Sequence, residues 1–146
     1  MIIISQPKLE VRENEVLVSS CIEDDKKHFR ETIFYKTSAT YRPYVVTEKA
    51  DLFVLSALMP ALFSQSDIRV EGTLSSDLKY ALENGLIYIL AKTYGVRPIK
   101  VHAERIETFE FGGKAVGAGC SMGVDSLATI KQHLSLIHIS EPTRHS

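Results

Sequence analysis

Six residues near the end of the chain, Ser121-Met122-Gly123-Val124-Asp125-Ser126, lie between a run of small residues, Ala115–Gly119, and a short amphipathic stretch. A strand, a tight glycine turn and a helix start, in that order, aim backbone N–H groups at one point. That geometry suits a phosphate. The turn falls about 20 residues before the last one, and each further parallel strand needs a crossover of roughly a dozen residues or more. The expectation is a nucleotide site that is begun, with too little chain after it to complete the sheet.

A chain of 146 residues is about one domain, and its 45% hydrophobic and 24% charged content is that of a globular protein. The net charge is −1 and the charges are interspersed, so no basic face is offered and no nucleic-acid signal is read. Met1–Ser5 is apolar but lacks the basic start of a signal segment. Leu52–Phe63 contains Ser56 and Pro60 and is shorter than the ~20 residues that a membrane span requires. Cys21 and Cys120 stand in neither a metal nor a redox spacing, which reads as reduced thiols and a cytoplasmic location.

The pattern before the turn predicts an α+β region. Val11–Ile22 alternates, with Val16 and Val18 on one face and Asn14 marking a turn. Phe29–Lys36, aromatic and β-branched, completes a hairpin with it, and Tyr41, Pro43 and Tyr44 predict an extended connection. A helix starts near Lys49 or Ala50 with Leu52, Leu55, Met59 and Leu62 on one face, and Pro60 weakens its last turn. Ile68–Glu71 is a short strand ended by Gly72. Ser75 or Ser76 then caps a second helix that runs to about Tyr94. Its buried stripe is Leu78, Leu82, Ile89 and either Leu86 or Tyr88, and Gly95 is its left-handed C-terminal residue. Pro98–Ala103 and Ala115–Gly119 read as strands. A last helix begins at Val124 or Asp125, with Leu127 and Ile130 inward.

Within the turn, Ser121, Gly123 and Ser126 supply hydroxyls and close backbone approach, and each charge-assisted bond to an oxyanion contributes about 1.5–3 kcal/mol. Asp125 would meet a phosphate only through a cation, which makes it the candidate ligand for Mg²⁺. Ser-Met-Gly-Val-Asp-Ser resembles the Ser-Gly-Gly-x-Asp-Ser signature of the PP-loop ATP pyrophosphatases, in the adenine nucleotide alpha hydrolase superfamily. Asp67–Gly72 with the helix after it is also similar to the N-terminal part of uncharacterised bacterial proteins that carry such a domain. The resemblance implies a Rossmann-like parallel sheet, ATP and Mg²⁺ as cofactors, and adenylation of an unknown acceptor with release of pyrophosphate. It places Ser121, Met122, Gly123, Val124, Asp125 and Ser126 around the nucleotide, with Asp125 near the metal. Met122 departs from the family's first glycine; if that position requires positive φ, methionine costs roughly 1–2 kcal/mol.

The expected organisation is an α+β region over 1–112, the first strand-turn-helix of a nucleotide domain over 113–133, and a foreign tail over 134–146. Leu134–Arg144 reads as the translation of the transposase adaptor used in sequencing-library preparation, so His138 and His145 are not ligand candidates. The fragment itself is expected to be inactive. Two other functions stay open: a non-catalytic scaffold or interaction domain, and a dinucleotide-binding oxidoreductase built on Gly117, Gly119 and Gly123. A Walker loop is excluded, since no Gly-Lys-Ser/Thr follows. His102, His28, Glu104 and Glu107 read as strand or surface residues, and Cys120 as a small buried hydrophobe.

Overall fold

The computed structural model describes residues 1–26, 28–110, 123, 124, 127, 128 and 131, and the chain divides into two compact units, Met1–Phe109 and Glu110–Ser146. The first unit is α+β. Its strands are β1 (Ile2–Ser5), β2 (Lys8–Val11), β3 (Glu15–Asp24), β4 (Phe29–Ser38), β5 (Ile68–Ser75) and β6 (Val101–Glu107). A 3₁₀ helix, Ala39–Tyr44, and α1, Asp51–Ser64, separate β4 from β5. Between β5 and β6 run α2 (Ser76–Ala81), a π-helical segment (Leu82–Leu86) and α3 (Ile87–Tyr94).

The six strands form one sheet in the order β2-β3-β1-β5-β6, with β4 on the other edge of β3. β2, β3 and β4 are antiparallel neighbours, whereas β1, β5 and β6 run parallel. β1 and β2 both pair with β3, at Ile4↔Ile22 and Lys8↔Ser19, so one extra residue sits between them. That bulge falls at Gln6-Pro7, where Pro7 has no N–H to offer a ladder. Ser20 compensates by donating its hydroxyl to the Ser5 carbonyl at 2.8 Å, while Cys21 N–H donates to Ser5 Oγ at 2.9 Å.

Beyond the bulge the sheet splits, and residues 47–50 fill the gap. The Gln6 amide nitrogen donates to the carbonyls of Thr47 and Glu48, its oxygen accepts from Thr73 N–H, and Ala50 N–H donates to Thr73 carbonyl. Gly72 holds φ 155°, which residues with a Cβ rarely adopt, and a Cβ on it would also lie 2.0 Å from Gln6 Oε1. β5 therefore does not end at Gly72 but bulges there and runs on to Ser75.

Helices cover one face of the sheet. β3 buries Val16, Val18, Ser20, Ile22 and Asp24 in strict alternation, as its sequence predicts. α1 packs on that face through Phe53, Val54, Ala57, Leu58, Ala61 and Leu62. Of the face expected from sequence, Leu62 is buried and Met59 packs against the core, but Leu52 and Leu55 are exposed. The helix is apolar on nearly every side, so leucine spacing alone could not choose, and small alanines permit the closer approach. It also continues through Pro60 to Ser64, with Gln65 at φ 51° closing it.

Ser75 caps α2 by accepting from Leu78 N–H, and Gly95 at φ 66° ends α3, both where the sequence placed them. The stripe between these caps differs from expectation. Leu82 is buried, but Ile87 and Ala91 follow it while Leu86, Tyr88 and Ile89 are exposed. The π-helical turn inserts one residue, and one residue is about 100° of helix phase, so every later position rotates. Residues 39–44 form a 3₁₀ turn rather than an extended connection, with Ser38 Oγ accepting from Thr40 N–H.

In the second unit, Gly123 carbonyl accepts from Leu127 N–H at 3.0 Å, a helical turn. Leu127, expected inward, is exposed. The expected strand Ala115–Gly119 and the tail lie outside the described residues. No Rossmann-like nucleotide fold appears among the described residues, and no helix among them is long and apolar enough to cross a membrane.

Candidate functional site

Parallel strands collect their carboxyl ends on one edge, which is where open α/β sheets place ligands. Here β1, β5 and β6 bring Gln6, Ser75 and Glu107 to that edge, and the start of α1 adds Lys49 and Asp51. Asp51 Oδ1 accepts from Ser75 N–H at 2.9 Å and Oδ2 from Ser75 Oγ at 2.5 Å. Ser75 Oγ in turn accepts from Leu78 N–H at 3.2 Å. Lys49 Nζ sits 3.5 Å from Asp51 Oδ2 and 4.6 Å from the centre of the Phe109 ring, a cation–π contact. Nearby, Arg105 Nε donates to Thr73 Oγ1, and the hydroxyls of Ser76 and Thr108 bond to each other.

A serine hydrogen-bonded to a carboxylate resembles part of a nucleophilic site, but its bonding assigns it otherwise. The Ser75 proton goes to Asp51 and a lone pair to Leu78, and Ser75 is only 4% exposed. Two helix starts are thereby clipped together across 24 positions of sequence. The arrangement positions α1 against α2.

The same face opens into a cleft of about 390 Å³, and Lys49 and Asp51 of this staple are part of its lining. Val16, Val18 and Tyr35 form its floor, and Tyr44, Val46 and Leu52 its rim. Val16 and Val18 are buried, whereas Tyr44 is 79% exposed. Tyr35 is held by an edge contact with Phe53 and by a 2.6 Å hydrogen bond between its hydroxyl and that of Ser56. At one wall Lys36 Nζ bonds Glu15 at 2.8 Å, a hydrogen bond that holds the Glu15 carboxyl below the usual carboxylate range. On the same face as that ion pair, Glu10 raises the Arg12 guanidinium in the same way.

Of the sequence-predicted site, Ser121, Met122, Asp125 and Ser126 lie outside the described residues. Gly123 and Val124 are exposed at a helical turn. His102 is exposed on β6, and His28 occupies the β3–β4 loop at φ 49°. Among the described residues no group of His, Cys, Asp and Glu is placed to hold a metal. Lys49 and Asp51 were legible only as the start of a helix, because no spacing rule links them to Ser75 before the strands align.

No family model matches the chain, and no curated protein matches it. Solved structures that do match include the Fowlpox virus resolvase with its substrate Holliday junction DNA, at 16% identity and a TM-score of 0.22, covering 92% of this chain and 76% of that one. The Fowlpox virus Holliday junction resolvase matches at 15% identity and a TM-score of 0.21, with the same coverage. No family model or curated protein bears out the PP-loop resemblance, which is corrected accordingly; the structures that match are of a resolvase rather than an ATP pyrophosphatase. ATP-binding, a nucleotide partner and the stated lack of any nucleic-acid link are withdrawn on the same ground. TM-scores this low carry no argument for a resolvase fold or for DNA binding here.

Proposed function

We propose that Met1–Phe109 is a non-catalytic interaction module that receives an apolar segment of a partner in the cleft between β3–β4 and residues 44–52. The observation that carries this reading is a contrast within one face. The polar groups at the strand ends, including Lys49 and Asp51 on the cleft wall, are engaged with other groups, while an apolar floor stays open beneath an aromatic and aliphatic rim. Buried aromatic and aliphatic anchors in a shaped cleft are what dominate binding energy at protein interfaces.

Selection of displayed peptides on the full chain tests this. Peptides rich in aromatic and branched residues should be enriched and should lose binding to Leu52→Glu and Tyr44→Asp. Both side chains are exposed, so both variants should keep the wild-type melting temperature. Ser75→Ala should lower that temperature and leave peptide binding unchanged. Failure to enrich any peptide, or peptides indifferent to both rim substitutions, would remove the reading.

A further inference from the structure

We propose that β4 pairs with β4 of a second copy of this chain, antiparallel and centred on Phe34, joining two sheets into one. β4 pairs with β3 from Phe29 to Ser38 in an unbroken register, and among the described residues with nothing on its other edge. The phase of the ladder says which groups face outward. Ala39 N–H donates to Asn14 carbonyl at 3.0 Å, which makes residues 14 and 39 a hydrogen-bonded pair. Stepping back by twos, Thr37, Tyr35, Ile33, Glu31 and Phe29 spend their backbone groups on β3. Arg30, Thr32, Phe34, Lys36 and Ser38 therefore turn N–H and C=O groups to the open edge. No proline or bulge interrupts that row; of the devices that blunt an edge the strand carries only the charges of Arg30, Glu31 and Lys36.

Symmetry then restricts the partner strand. Two identical edges meet antiparallel only about a two-fold axis perpendicular to the sheet, which keeps both helix layers on one side. Opposed residues must then share a face, so the axis falls on a residue. Only axes on Ile33 or Phe34 pair nearly the whole strand. An axis on Ile33 opposes Arg30 with Lys36 twice, and like charges directly across are destabilising. An axis on Phe34 opposes Arg30 with Ser38, Glu31 with Thr37, Thr32 with Lys36, Ile33 with Tyr35, and Phe34 with itself. No like charges face each other, and the exposed rings of Phe34 and Tyr35 gain apolar neighbours.

The register gives a position-specific test on the full chain with Cys21→Ser and Cys120→Ser. Phe34→Cys places two thiols on hydrogen-bonded opposed positions about 5.5 Å apart at Cα, and mild oxidation should yield a covalent dimer. Thr32→Cys places them about 14 Å apart, and should not cross-link. Without these cysteines, Phe34→Arg should weaken the dimer at least about ten-fold by sedimentation, since it opposes two cations at the axis. Phe34 is 57% exposed, so the variant should fold normally, which circular dichroism checks. Cross-linking through Thr32→Cys, a wild-type chain that sediments as a monomer at its highest soluble concentration, or a dimer indifferent to Phe34→Arg would each overturn the proposal.

Discussion

Val70 on β5 and Val11 on β2 are the same residue type on the same face of one sheet, yet Val70 is 0% exposed and Val11 47%. The difference is the helix layer. α1, α2 and α3 lie over β1, β5 and β6, so Ile2, Ile4, Ile68, Val70 and Val101 are all sealed into one core. β2, the first half of β3 and the second half of β4 form an arm beyond the Gln6-Pro7 bulge, where residues 44–52 give only partial cover. Burying a branched side chain contributes about 1.5–3 kcal/mol, while an exposed cross-strand pair contributes roughly 0.2–1 kcal/mol. The covered half should therefore carry the stability, and the arm should be free to serve as surface.

The strongest way to break this comparison is to cut side chains in both halves. Leu62→Ala, at 1% exposure beneath the sheet, should cost about 2–5 kcal/mol in urea denaturation. Leu9→Ala, at 40% exposure on the arm, should cost below about 1 kcal/mol. Equal costs would mean the arm is as buried in solution as the core.

Next in size is the staple that holds the helix starts together. Asp51→Ala leaves Ser75 N–H and its hydroxyl without their acceptor, and should lower stability by about 1–3 kcal/mol. A change within error would show that the two helix starts hold their places without it.

The seam between the halves offers a coupled test. Gly72→Ala drives a Cβ into the Gln6 amide, and the overpacking should cost about 1–3 kcal/mol. In the presence of Gln6→Ala that cost should shrink but not vanish, because the clashing amide is gone while the φ of 155° at position 72 remains. A double-mutant cycle with no coupling would refute the account of the seam.

The smallest effect belongs to the arm's surface. Glu15 is held ionised by Lys36, so its folded carboxyl titrates below its unfolded one. Its contribution is then present above the unfolded value and fades as pH falls through the folded value. A carbon-detected titration should show Glu15 moving back toward the ordinary range in Lys36→Met. The exposure of both partners and salt screening keep the stability change near the limit of measurement.

Local chemistry was readable wherever it was decided locally. The β3–β4 hairpin follows from alternation on both sides of a charged turn, and the Ser75 cap and Gly95 stop follow from side-chain oxygen and φ freedom. Ile2–Ser5 carries no strand signal of its own, because a short continuous apolar run has no period and its place in the sheet depends on β5, more than sixty residues away. The buried faces of α1 and α3 differ from those the periodicity predicts, for separate reasons. In α1 every side is apolar, so only the sheet selects one. In α3 a π-helical turn shifts the phase, and single-sequence periodicity assumes an unbroken 3.6-residue repeat.

The amino-acid order determined the β3–β4 hairpin, the caps of the helices and the α+β character of the domain, since those depend on neighbours a few residues apart; it did not mark β1 or β2, and it placed the start of β6 at Pro98 rather than Val101. Tertiary structure alone decided that Gln6 spans the split sheet, that Asp51 meets Ser75, and that β4 keeps an open edge. Each of these depends on distances between chain segments that no local pattern encodes. The sheet must assemble before the partners exist.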